Sequence, residues 1–298
     1  METIHTIAWM QQIALDARAK ERVLGLVPTM GALHEGHLSL VREALRRSSP
    51  VVVSLFVNPK QFGPSEDLQK YPRNLEADRA ALEKLGVDYL FAPSAEEMYP
   101  KGFRTAVTVE GLGDRLEGRS RPGHFRGVTT VVLKLFEIVQ PGLAFFGRKD
   151  AQQLRIIRQM AADLNVDAEI VTCPIVREPD GLALSSRNSY LKGGERQSAT
   201  ALYRALDAAR RAIQAGERDP IRILAACRQV TDAVIDAKTN AEPGVVLDYA
   251  EIVDADTFEP SMTLKRPCYL VIAARVGSTR LIDNALIEPR GDDIVISL

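Results

Sequence analysis

The stretch Val27-Pro28-Thr29-Met30-Gly31-Ala32-Leu33-His34-Glu35-Gly36-His37 holds two of the chain's four histidines, three residues apart. On a helix that spacing lets two imidazoles face one ligand. As hydrogen-bond donors, and more strongly if protonated, they would stabilise charge on a phosphate. Two other readings stand beside this one. A His-x-x-His pair can ligate a metal, but zinc takes three or four protein ligands, and no cysteine or third histidine is near in sequence. The pair can also be surface histidines without a role. Gly31 and Gly36, and a place between an apolar run and a helical pattern, favour the phosphate reading, because backbone N–H groups at a helix start attract anions. The stretch is neither a P-loop nor a Gly-x-Gly-x-x-Gly fingerprint.

Further clusters carry polar chemistry. In Phe145-Phe146-Gly147-Arg148-Lys149-Asp150, followed by Gln152-Gln153, Lys149 suits a polyphosphate and Asp150 a ribose hydroxyl. The same residues also read as a solvated turn with Asp150 as helix cap. Gly181-Leu182-Ala183-Leu184-Ser185-Ser186-Arg187-Asn188 offers two hydroxyls and a guanidinium, either an anion clamp or a polar linker between domains. In Val57-Asn58-Pro59-Lys60-Gln61-Phe62-Gly63, Asn58 and Gln61 bring amides that suit a small substrate carrying hydroxyls and a carboxylate. Asn-Pro is also ordinary turn chemistry. Residues 119–127 form a basic stretch, either an anion binder or a solvated loop.

These clusters follow apolar runs. Residues 23–27, 51–57, 87–91, 143–146 and 168–171 read as short, buried, β-branched or aromatic strands. Between them, 37–47, 75–85, 128–139 and 150–164 carry apolar residues at helical spacing. That alternation predicts an α/β, Rossmann-like parallel sheet with helices on both faces. Ligands bind such a sheet beyond the carboxyl ends of its strands. After about residue 175 the pattern changes: two helical patterns over 194–240, then strand-like runs at 246–253, 268–276 and 279–284. The expectation is a domain over 1–175 and a smaller α+β domain over 176–298.

Composition narrows the function classes. The chain has 298 residues, 46% hydrophobic and 26% charged, with 38 Lys+Arg against 39 Asp+Glu and a formal net charge of −1. This excludes a disordered chain or a coiled coil, and argues against a general nucleic-acid or membrane-surface binder. No apolar run approaches the roughly 20 residues that span a bilayer. The N-terminus lacks the basic and apolar regions of a secretory signal. Cys173, Cys227 and Cys268 are odd in number and far apart, and read as buried small hydrophobes in a reducing compartment.

Taken together, His34-Glu35-Gly36-His37, Phe56-Val57-Asn58-Pro59-Lys60-Gln61-Phe62, Gly123-His124-Phe125-Arg126-Gly127-Val128, Phe146-Gly147-Arg148-Lys149-Asp150 and Leu184-Ser185-Ser186-Arg187-Asn188 resemble, in order, the pantoate–β-alanine ligases. These belong to the nucleotidyltransferase superfamily, whose signature is His-x-Gly-His. The resemblance covers most of residues 22 to 192 and is weaker beyond. It implies that pantoate attacks the α-phosphate of ATP to give pantoyl adenylate and pyrophosphate, and that β-alanine then displaces AMP. It implies that Met30, His34, His37, Gly147, Lys149, Asp150, Val176, Leu184, Ser185, Ser186 and Arg187 hold ATP, that Gln61 and Gln153 hold pantoate, and that His37 is the catalytic donor; on their chemistry, Asn58 joins the substrate candidates and His34 and Lys149 the catalytic ones. Leu184 stands where many relatives carry methionine, an apolar exchange. Magnesium is implied as a cofactor with ligands unassigned, since Asp78 has Ala77 as its neighbour. A cytoplasmic homodimer is implied too.

The residues suit this chemistry. A carboxylate with a pKa near 4 is already ionised at pH 7, so the first step requires no general base. The acyl adenylate must be kept from water, and residues 185–187 are the candidate lid. Competing readings are another adenylyl- or cytidylyltransferase with a phosphorylated acceptor, a tRNA-binding protein, and an inert nucleotide sensor. The first would need a more basic acceptor pocket, and the second an excess of basic residues in the second domain.

Overall fold

The computed structural model describes residues 1–64, 66–236, 244–291 and 293–298. The chain divides into two compact units. One comprises Met1–Arg148 and Gln152–Pro174, the other Lys149–Ala151 and Ile175–Leu298.

The first unit runs β1 (Glu2–Ile4), α1 (Ile7–Ala19), β2 (Gly25–Thr29), α2 (Glu35–Arg47), β3 (Val51–Leu55), α3 (Leu75–Leu85), β4 (Tyr89–Phe91), α4 (Ala95–Met98), α5 (Glu117–Ser120), α6 (His124–Val139), β5 (Leu143–Gly147), α7 (Ala151–Asp163) and β6 (Glu169–Cys173). Among the described residues these six strands form one sheet in the order β1-β4-β3-β2-β5-β6, every pair parallel. The alternation of side chains along each strand builds two cores. Leu26, Val52, Ala144 and Phe146 join Met10 and Ile13 of α1, Val132, Leu135 and Phe136 of α6, and Ile157 and Met160 of α7. Val27, Val51, Val53 and Phe145 join Leu40, Val41 and Ala44 of α2 and Leu82 of α3 on the opposite face. Helices therefore cover both faces, as the sequence predicts.

From β2 the chain first builds the sheet in one direction, through β3 to β4, and then returns to β2's other side with β5. The carboxyl end of β2 is therefore a topological switch point, where open parallel sheets leave a crevice. The His34 loop leaves the sheet there.

Several boundaries move. The strand expected at 23–27 runs from Gly25 to Thr29 and includes Pro28. Gly25 N–H and Thr29 carbonyl both bond toward β3, so Pro28 turns its missing N–H toward β5. The β2–β5 pairing has ended by then, at Leu26, and no ladder bond is lost. The helix expected at 128–139 starts a turn earlier, at His124. No element is expected before residue 23, yet β1 and α1 are present. The buried stripe of α1 (Met10, Ile13, Ala14 and Ala17) is obscured in sequence by the exposed Trp9 and Leu15.

In the second unit the helical pattern over 194–240 is split into α8 (Gly194–Ser198), α9 (Ala201–Gln214) and α10 (Pro220–Asp236), and its last residues, 237–240, lie outside the described residues. Then follow β7 (Val245–Asp254), β8 (Cys268–Val276), β9 (Thr279–Arg290) and β10 (Asp293–Ser297), an antiparallel sheet ordered β10-β9-β8-β7. β9 continues past residue 284 because β10, unforeseen, pairs with its second half. Leu202, Leu206, Ala209 and Ile213 of α9 pack on Leu270, Ile272, Ala274 and Leu281 of the sheet. Cys173, Cys227 and Cys268 are free and buried. No helix among the described residues is long and apolar enough to cross a membrane.

Phe145 is fully buried in the sheet's second core. Phe145→Ala should cost about 3–5 kcal/mol through lost transfer energy and a residual cavity. A fall of several degrees in the first thermal unfolding transition is expected, and an unchanged melting curve would refute the packing assignment.

Candidate functional site

The loop after β2 turns through two left-handed residues, Gly31 at φ 84° and Ala32 at φ 52°. Such a conformation is strained for alanine. It is held by Asp78 in the first turn of α3. One carboxylate oxygen accepts from Ala32 N–H at 2.9 Å and the other from Leu33 N–H at 2.7 Å. Asp78 is only 4% exposed. Both of its oxygens thus serve the loop. Among the described residues, no group of three or more His, Cys, Asp or Glu side chains is arranged to hold a metal ion.

The loop delivers His34 as the N-cap of α2. His34 Nδ1 accepts from Gly36 N–H at 3.1 Å, and His37 Nδ1 accepts from His34 N–H at 3.4 Å. The two rings lie 4.0 Å apart, tilted by 32°. A nitrogen that accepts carries no proton, so in these bonds the donor nitrogen of each neutral ring is Nε2.

The turn after β3 packs against this loop. Asn58 caps the short 3₁₀ turn Pro59–Gln61. Gln61 Nε2 lies 3.0 Å from the Met30 thioether, so these two expected ligand residues are brought together. Asn58 is 1% exposed. Its Oδ1 accepts from Lys60 N–H and from the Tyr99 hydroxyl, and its Nδ2 donates to Gln61 Oε1 and to Gly127 carbonyl. Both ends of its amide are thus committed inside the protein, one of them to Gln61. Gly127 is required here: a Cβ would sit 2.2 Å from Lys60 carbonyl.

A second support reaches the same turn from α6. His124 Nδ1 donates to Gln61 carbonyl at 2.9 Å, and His124 Nε2 accepts from Arg121 at 3.0 Å. Arg121 also forks onto Glu66 at 2.7 and 2.9 Å. Burial first, and the neighbouring Arg121 second, push the His124 pKa down to about 4. The basic stretch 119–127 is therefore partly an internal brace. Gln152 is buried and holds the backbone of Glu117, Leu112 and Arg115. Gln153, beside it in the first turn of α7, is half-buried.

In the second unit, Lys149 and Asp150 occupy the 3₁₀ turn Arg148–Asp150, with Lys149 half-buried and Asp150 exposed; Gly147 ends β5. Asn284 Nδ2 donates to Lys149 carbonyl at 2.8 Å. Val176 carbonyl accepts from Leu184 N–H, and Glu178 N–H donates to Leu182, so residues 176–184 fold back on themselves. Arg177 ties this hairpin to β9 through a two-point ion pair with Asp283 at 2.6 and 3.0 Å. Ser185 Oγ accepts from Arg187 N–H and caps the 3₁₀ turn Ser186–Tyr190. Val176, Leu184, Ser185, Ser186 and Arg187 are all half-buried. Asp78, Tyr99, the His124–Arg121–Glu66 brace and the Arg177–Asp283 pair were not foreseen. Their partners lie 41 to 106 residues away, apart from the i,i+3 contact of Arg121 with His124, and only the tightly spaced Gly-His-Phe-Arg-Gly stretch gave any sign of them.

Residues 2–286 match the sequence model of the pantoate-beta-alanine ligase family. A pantothenate synthetase of Thermotoga neapolitana is 52% identical over 287 residues, which is 96% of this chain and 100% of that protein. One of Caldicellulosiruptor saccharolyticus is 51% identical over 97% of this chain and 100% of its own length. The crystal structure of pantothenate synthetase from Thermus thermophilus superposes with a TM-score of 0.87 at 48% identity, covering 95% of this chain and 98% of that one. A pantoate-beta-alanine ligase from Francisella tularensis, crystallised with beta-gamma ATP and beta-alanine, gives 0.75 at 34% identity over 95% and 97%.

Two outcomes test the local chemistry. Asp78→Ala leaves two amides in the loop without their charged acceptor; at about 1.5–3 kcal/mol per such bond, denaturant titration should show a loss of several kcal/mol. A loss below the error of the titration would remove Asp78 as the loop's clamp. His124 supplies a pH dependence. Its folded pKa, about 4, lies below the ordinary value of 6.5, so between those values the unfolded chain binds the proton and the folded one does not. Stability should therefore fall as pH drops from 6.5 toward 4, by up to about 3 kcal/mol, and level off below. In His124→Asn that component of the slope should vanish, and an unaltered slope would show that another group titrates.

Proposed function

This chain belongs to the pantoate–β-alanine ligase family, and on that premise we propose how its residues carry the reaction. The enzyme joins pantoate to β-alanine at the expense of ATP. In the proposed course, a pantoate carboxylate oxygen attacks the α-phosphorus. The bond from that phosphorus to the bridging oxygen breaks, and pyrophosphate leaves. The β-alanine amine, having lost a proton, then attacks the acyl carbon, and AMP departs with the electron pair of the broken C–O bond.

The first step brings two anions together, so charge neutralisation and orientation carry it. Orientation of bound reactants is worth about 7–11 kcal/mol in favourable cases. His34 and His37 are assigned to the phosphates as Nε2–H donors, and His37 to the catalytic donor role. Met30 and Gly147 line the nucleotide, and Lys149 meets the polyphosphate and the departing pyrophosphate. Asp150, Val176, Leu184, Ser185, Ser186 and Arg187 are the remaining residues assigned to ATP. Gln61 and Gln153 hold pantoate, with Asn58 behind Gln61. Magnesium enters with ATP: it prefers phosphate oxygens and water with one or two carboxylates, and needs no all-protein cage. When bound, magnesium would offset charge on the triphosphate. Closing of residues 185–187 is assigned to excluding water from the adenylate.

The observation that carries this reading is the reciprocal cap of His34 and His37 at the start of α2. The reading includes a homodimer in the cytoplasm. Three free, buried cysteines suit a reducing compartment.

The test is pyrophosphate release from ATP with D-pantoate, first without and then with β-alanine. His37→Ala and Lys149→Ala should each slow adenylate formation by roughly two orders of magnitude or more with the fold intact. Near-normal turnover in either variant takes that residue out of the mechanism, and no pantoate-dependent pyrophosphate release would defeat the assigned reaction.

A further inference from the structure

An amide side chain can usually be turned end for end, but at Asn58 the backbone decides. Lys60 N–H, which can only donate, lies 3.2 Å from Oδ1, and Gly127 carbonyl, which can only accept, lies 3.1 Å from Nδ2. Reversing the amide would set donor against donor and acceptor against acceptor. The second proton of Nδ2 points to Gln61 at 3.0 Å, so the Gln61 atom there is Oε1. The other end of Gln61 is then Nε2, consistent with its 3.0 Å approach to the Met30 thioether, a weak acceptor.

Tyr99 makes the shorter of the two bonds to Asn58 Oδ1, at 2.8 Å. Because Oδ1 only accepts, the hydroxyl donates. The ring is fixed by Phe103 at 5.0 Å, by Phe56 at 6.0 Å and by the Lys60 ammonium 5.0 Å from its centre.

We infer that Tyr99 is a positioning residue for the ligation: through Asn58 it holds the Gln61 amide with its N–H end toward the substrate, so that Gln61 meets an acceptor oxygen of the hydroxy acid. Tyr99 touches no substrate in this scheme. It opposes rotation of the Asn58 amide, and Asn58 in turn opposes rotation of Gln61. Burial pushes the phenol's pKa upward, which keeps it a donor over the whole working range. The inference rests on the reading of Gln61 as a pantoate ligand.

The experiment compares Tyr99→Phe, Asn58→Asp and Gln61→Ala with the unaltered enzyme, measuring KM for pantoate, KM for ATP and the thermal midpoint. Tyr99→Phe keeps the ring and its packing. Loss of its hydrogen bond to Asn58 should raise KM for pantoate about 3–10-fold while KM for ATP holds, and should lower the midpoint by no more than the few degrees one hydrogen bond is worth. Asn58→Asp removes the donor that faces Gln61, and should raise KM for pantoate further than Tyr99→Phe does. If Gln61→Ala raises KM for pantoate and Tyr99→Phe does not, the inference about Tyr99 fails alone. A parallel rise in both KM values in Tyr99→Phe makes the residue merely structural and also overturns it. If Gln61→Ala leaves KM for pantoate unchanged, the underlying assignment of Gln61 fails first.

Discussion

Asp78 accepts from two consecutive amides, Ala32 and Leu33, and the first unit's candidate site is built on the turn so held. A left-handed alanine costs about 1–2 kcal/mol. Two charge-assisted bonds to a buried carboxylate exceed that. The turn carries the chain from the carboxyl end of β2 to the start of α2, and so makes His34 an N-cap. The cap sets the tautomer of both imidazoles, and the tautomer sets which nitrogen can donate. A carboxylate on α3 thereby supports the cap through the backbone of the loop that delivers it.

The neighbouring turn follows the same logic with neutral groups. Asn58 and Gln152 are polar side chains whose hydrogen-bonding capacity is used within the protein. A buried polar group left unsatisfied costs about 1–3 kcal/mol, so such networks hold one arrangement firmly. The turn Pro59–Gln61 is gripped from both sides, by Tyr99 through Asn58 and by His124 on Gln61's carbonyl. Its residual freedom is therefore small. That is what a pocket needs if orientation, and not acid–base chemistry, limits its first step.

In the second unit a buried ion pair does the corresponding work. Arg177 and Asp283 meet at two points, and Arg177 also stacks 5.1 Å from Tyr203. Removing either partner would leave an uncompensated buried charge, a strong reason for the hairpin 176–184 to stay on β9. Gly181 allows the close approach, since a Cβ there would fall 2.1 Å from the Tyr203 ring. Asn284, the next residue of β9, anchors the backbone of Lys149. Two adjacent residues of one strand thus brace both segments of this unit that are proposed to meet ATP.

By itself the sequence determined the parallel sheet, its two helical faces and the ordered short blocks that mark the family, because each depends on contacts within a few residues: alternation along a strand, periodicity along a helix, a glycine at a turn. It also marked His34 and His37 as a pair at a helix start, since their spacing and that start are local; that they face a phosphate belongs to the proposal. Only the tertiary structure decided that both rings accept through Nδ1, that Asn58 is a brace for Gln61, and that His124 and Arg121 work inside the protein. Asp78 reaches the His34 loop across some 45 residues and Arg177 reaches Asp283 across 106, and a hydrogen bond between distant residues leaves no period in either segment. Residue type tells what a side chain can donate or accept; which partner uses that capacity is settled only when folding brings the two together.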